Sequence, residues 1–171
     1  MNEKPTAIGR EDLSPLITAM TRTEFYPHHP TQVELRQTHI SYVFLAGEYV
    51  YKVKKPVRFT FLDYSSLDKR YHFCQEEVRL NRRLAPTVYL GVVPIIKREE
   101  GFTLGEGTLA AGRWTVAEYA VKMRRLPEER MLDHLLKEEK VGKETIHALA
   151  QKLVSFHQAA ATDRAPLYGA P

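Results

Sequence analysis

Cysteine is almost absent from this chain. Cys74 is the single one in 171 residues, so no disulfide can close within it. Its place among apolar neighbours predicts a small buried residue and not a nucleophile. No apolar run approaches the ~20 residues of a membrane-spanning helix. The opening MNEKPTAIGREDL lacks the apolar centre of a secretory signal. A soluble cytoplasmic protein with no membrane partner is the expectation. Internal repeats and low-complexity tracts are missing, and so is any G-x-x-x-x-G-K-[ST], which excludes a P-loop within these residues. Charge of one sign is also modest: a formal +4 and a pI near 9.1 suit an anionic ligand but are too little to argue for nucleic acid. The adjacent His28 and His29 have no Cys or carboxylate cluster beside them, so no metal site is expected there.

With 43% hydrophobic and 27% charged residues, the chain is that of a folded protein with a buried core, one domain or one and a half. A short helix is expected over 11–20, with Pro15 in its first turn. Three strand-like runs follow at 32–36, 39–45 and 49–54, rich in Val, Ile, Tyr and Phe. The turn Ala46-Gly47-Glu48 makes the second and third an antiparallel hairpin. Residues 57–64 read as a loop with aromatic content. A helix then opens at Ser65, with Ser65 to Asp68 as a loose capping box, and runs to about Leu84 before Pro86. Further strands are expected over 89–96 and 115–123, with an irregular one over 102–109. After Pro127 the spacing turns helical, at 128–137 and again at 144–161.

Val50 to Leu84 carries the chemistry. Lys52 sits on a strand and Glu77 on the helix that follows, with Phe73, Cys74, Leu80, Asn81 and Leu84 as the helical neighbours of Glu77. A carboxylate on an apolar stripe is costly to bury unpaired. Lys52 is the natural partner. Two readings stand side by side at this point: a buried ion pair with no ligand, or a lysine held ready for phosphate, where its ammonium can reach two oxygens at once.

The segments THISYVFLAGEYVYKVKKPVRF, LDYSSLDKRYHFCQEEVRLNRRLAPTVYLGVVPI, EYAVKMRRLP and LVSFHQAAA together favour the second reading. Across most of residues 38–161 the chain resembles the aminoglycoside phosphotransferase-like branch of the protein-kinase-like fold. More closely, it looks like a bacterial group of uncharacterised proteins in which such a domain precedes a C-terminal P-loop ATPase or kinase domain. The resemblance implies an α+β fold: an N-terminal lobe over 1–126, with a five-stranded antiparallel sheet and one helix, then the first helices of a helical lobe over 127–171. It places Lys52 on the nucleotide phosphates and Glu77 on Lys52. It puts Val50 against the adenine and the backbone of Met123, Arg124 and Arg125 at the hinge that would hydrogen-bond it. ATP and Mg2+ are the implied cofactors of the intact protein, with a hydroxyl-bearing small molecule as acceptor.

The chain departs from that pattern in two places. No G-x-G-x-x-G joins the first two strands; the turn there is Arg36-Gln37-Thr38-His39, with Thr38 and Ser41 read as turn residues. More seriously, no H-G-D or D-x-x-x-x-N follows His157, itself read as a packing residue, so no catalytic base and no metal-binding residue is identified within the chain. The expected portion is thus an ATP-binding part that is inactive alone, whose missing groups would lie beyond Pro171. The alternative is a pseudokinase-type regulatory or scaffolding module. Nucleic-acid binding through the basic clusters is not expected: core packing accounts for Tyr51, Phe59 and Phe61.

Overall fold

Alternation of side chains along the strand Tyr49–Lys54 settles how the sheet is used. Tyr51 and Val53 point to one face, and Val50, Lys52 and Lys54 to the other. In a computed structural model, which describes residues 13–105 and 115–160, the chain divides into two compact units, Met1–Arg125 and Leu126–Pro171.

The first unit is α+β. Its elements are α1 (Ser14–Met20), β1 (Val33–Gln37), β2 (Ser41–Ala46), β3 (Tyr49–Lys54), β4 (Arg58–Phe59), β5 (Leu62–Asp63), α2 (Leu67–Asn81), β6 (Tyr89–Arg98), β7 (Gly101–Leu104) and β8 (Thr115–Arg124). Six strands form one antiparallel sheet in the order β1-β2-β3-β8-β6-β7, so β8 closes the gap between β3 and β6. One face packs Phe44, Tyr51, Val53, Ile95 and Ala120 against Leu16 and Met20 of α1 and against Tyr26. The other face packs Val121, with Val92, Tyr119 and Met123, against Cys74 and Val78 of α2.

Several expectations change. The sheet has six strands among the described residues, not five, because the four residues of β7 pair with Ile95 to Arg98 across a turn at Glu99-Glu100, and Gly101, which opens β7, has a φ of +133° that suits glycine. Of the irregular strand expected over 102–109, the part from 106 onward lies outside the described residues. The loop over 57–64 contains a two-stranded ribbon, β4 with β5. Helix α2 is capped by Ser66, whose Oγ accepts from the Lys69 amide. Ser65 is taken instead by Asp63, whose Oδ1 accepts from both its amide and its hydroxyl. The helix ends at Asn81 and not Leu84, and the buried line along it is Arg70, Cys74 and Val78, while Leu80 is exposed.

The second unit holds a short 3-10 turn, Glu128–Arg130, then α3 (Leu132–Lys137) and α4 (Lys143–Gln158), so the helix expected over 128–137 is split in two. Ile146, Leu149, Leu153 and Val154 of α4 are all exposed.

Candidate phosphate site on the strand face covered by helix α2

The β2–β3 hairpin fixes the register that aims Lys52. Its two-residue turn starts at Gly47, with φ +62° and Pro30 3.2 Å from where a Cβ would sit. Strand β3 then lies between β2 and β8, with Val43 and Val121 as the cross-strand neighbours of Lys52. Helix α2 crosses the same face. The Lys52 ammonium donates to Glu77 Oε1 at 2.9 Å, so the pair anticipated from the sequence is formed.

It has a third member. Lys54 donates to Glu77 Oε2 at 2.7 Å, so each carboxylate oxygen has its own lysine. Lys54 is the more deeply placed cation: 4% of its side chain is exposed against 28% for Lys52. Its Nζ also lies over the Tyr64 ring, 4.9 Å from the centroid. Burial raises the Glu77 pKa, but the hydrogen bonds from Lys54 and then Lys52 outweigh it and hold the carboxyl below the ordinary range. Burial lowers that of Lys54, and Glu77 more than reverses it. Two cations and one anion leave the cluster at +1, a field that attracts anions at its more accessible member, Lys52. Lys54 was missed by sequence reasoning, though the two-residue repeat of a strand puts it on the face of Lys52.

Helix α2 is held at both ends. Near its start, the fully buried Arg70 donates from Nε to Glu118 Oε2 at 2.7 Å and from Nη1 to the Tyr64 carbonyl. Just past its end, the Arg82 guanidinium donates to the carbonyls of Tyr89, at 2.7 Å, and Leu90. Arg70 was also missed; its position four residues before Cys74 was the available signal. Burial first, then the neighbouring Glu77, pushes the Tyr89 pKa up. Burial pushes the Cys74 thiol up to about 12, so it stays neutral and unreactive.

The remaining expected site residues divide. Val50 and Met123 are cross-strand partners, and Met123 packs with Val121 and Cys74 on the face of Lys52. The Arg124 amide donates to Val88 and the Arg125 amide to Glu48, so neither N–H is available to an adenine. Glu76 pairs with Arg79 on the exposed side of α2. Thr38 Oγ1 accepts from the Ser41 amide and closes its own turn. His28 donates from Nε2 to the Ala46 carbonyl and packs beside Tyr49, and no metal-holding group of three ligands occurs among the described residues. His157 is exposed, its ring T-shaped to that of its neighbour Phe156, so it is not the packing residue expected. Tyr51 is core, but Phe61 is 80% exposed and stacked on Phe59, which core packing does not explain. No helix among the described residues is long and apolar enough to cross a membrane.

The chain is similar to three proteins described only as uncharacterised, one from Mycobacterium bovis and two from strains of Mycobacterium tuberculosis. Each is 31% identical over 132 residues. The match takes in 77% of this chain but 24% of each relative, so the chain spans about a quarter of their length. No family model matches the chain, and no solved structure matches it.

Proposed function

We propose that these residues form the nucleotide-phosphate-binding lobe of a kinase-like phosphotransferase related to the aminoglycoside phosphotransferases. The observation that carries this reading is the Lys52–Glu77 hydrogen bond, 2.9 Å long, between an interior strand of an antiparallel sheet and the helix packed on it. Lys52 keeps two further ammonium donors for phosphate oxygens, and Glu77 fixes its reach. Val50 and Met123 supply the apolar wall beside it. In the intact protein the γ-phosphoryl of ATP would pass to a hydroxyl-bearing small molecule, with a P-loop domain downstream.

The residues present suit the phosphates and not the metal. Both Glu77 oxygens are already bonded to lysines, and no three metal-ligating side chains converge among the described residues. No step through Mg2+ is assigned to them. Where the full-length protein supplies no base and no metal-binding residues, the same lobe would serve a second reading, a pseudokinase-type module that binds without transferring.

Calorimetric titration with magnesium-ATP tests the assignment. Lys52→Met is expected to abolish binding while the far-UV spectrum stays that of the parent; unchanged affinity in that variant would sink the phosphate role. A search for labelled γ-phosphoryl transfer by the full-length protein separates the enzyme from the binding module.

A further inference from the structure

We propose that Lys54 is a positioning residue that holds Glu77 by one oxygen so that Lys52 is left free to bind an anion. This rests on the phosphate reading of Lys52 given above.

Three observations carry it. Lys54 takes Glu77 Oε2 at 2.7 Å, so Glu77 reaches Lys52 through Oε1 alone. Lys54 is enclosed, with the Tyr64 ring near its ammonium and 4% of its side chain exposed, so it has no access to a ligand of its own. Lys52 has a single hydrogen bond among the described residues and is the more accessible of the two. The other groups facing the carboxylate are the neutral Cys74 and Tyr89, which offer it no competing charge. With Lys54 removed, Glu77 can turn both oxygens onto Lys52. A carboxylate gripping that ammonium with both oxygens withdraws donors and positive field from an incoming phosphate.

The consequence is a division of labour that substitution can read. Lys52→Met removes the anion contact. Lys54→Met leaves the contact in place but lets Glu77 compete with the ligand, and Lys54→Arg restores a donor to Oε2. Titration of the full chain with magnesium-ATP and with inorganic tripolyphosphate is expected to show no binding for Lys52→Met. Binding should be roughly tenfold weaker for Lys54→Met, the scale of one charge-assisted hydrogen bond. Lys54→Arg should recover most of that loss.

The position of Glu77 is read separately from its side-chain carboxyl 13C resonance as pH is lowered. Its titration midpoint is expected to rise further in Lys54→Met than in Lys52→Met. Parent-like affinity in Lys54→Met, no recovery in Lys54→Arg, or equal displacement of the Glu77 midpoint in the two Met variants each overturns the proposal. Should Lys54→Met fail to fold, Lys54→Arg decides: near-parent affinity with a parent-like Glu77 midpoint supports the role, and a loss as complete as that of Lys52→Met overturns it. If Lys52→Met binds nucleotide normally, the phosphate reading falls by itself. The Glu77 resonance then still decides whether Lys54 positions the carboxylate.

Discussion

Glu77 serves two lysines with unequal needs, and this sets what its loss does. Lys52 can turn toward solvent when Glu77 is removed, but Lys54, with 4% of its side chain exposed, cannot. Glu77→Ala is therefore expected to destabilise the first unit by about 3 kcal/mol, the cost of a stranded buried charge, measured by urea unfolding. Lys54→Met combined with Glu77→Ala should recover part of that loss, because no buried charge is then left unpaired. The pH dependence has two limbs. The Glu77 pKa is lowered on folding, so its contribution is complete above its ordinary 4.5 and is lost as pH falls through the folded value. That of Lys54 is raised, so its contribution is complete below 10.5 and is lost as pH rises through the folded value. Glu77→Gln should shrink the acid limb. Glu77 itself was legible, because a carboxylate on an apolar stripe demands a partner. Which residues the stripe buries was not: Leu80 carries the apolar side chain and is exposed, while the charged Arg70 is fully buried.

Helix α2 is clamped near its start by Arg70–Glu118, along its length by Glu77 and just past its end by Arg82, so Glu77 is presented without rearrangement of the helix. Arg70→Leu takes the guanidinium away from the buried Glu118 carboxylate and is expected to cost roughly 3–5 kcal/mol by chemical denaturation. Pairing it with Glu118→Leu should return much of that. At the hairpin, Gly47→Val meets both a positive φ and the Pro30 side chain, and a loss of about 1–2 kcal/mol or more is expected in the same measurement. Strand positions in this part were readable because alternation and turn chemistry are local, as at 49–54 and Gly47. The place of β8 was not, since its pairing with β3 joins residues far apart in the chain. Strand β7 was blurred because its four residues begin with a glycine, which carries no side-chain pattern.

The two compact units differ in how far they bury their apolar residues. The first encloses a core on each face of its sheet, whereas α3 and α4 of the second contain no buried residue. Ile146, Leu149 and Leu153 recur at helical spacing and are exposed together on α4. An apolar face of this kind is costly to leave in water. Leu149→Ser with Leu153→Ser is expected to raise the monomer fraction of the chain in sedimentation velocity, with little effect on the unfolding of the first unit. Helical spacing made α4 legible, but spacing alone does not tell a covered face from an open one.

Strand β8 reaches its central place last, and that has a meaning for synthesis. Until Thr115–Arg124 has left the ribosome, β3 is an edge strand with one side of its backbone unpaired. Nascent edges of that kind recruit strands from other chains. Here the exposed edge carries Lys52 and Lys54 on one face, and charged side chains on an edge discourage such pairing. Lys52 and Lys54 thus give the half-made sheet a charged edge until Thr115–Arg124 pairs with β3.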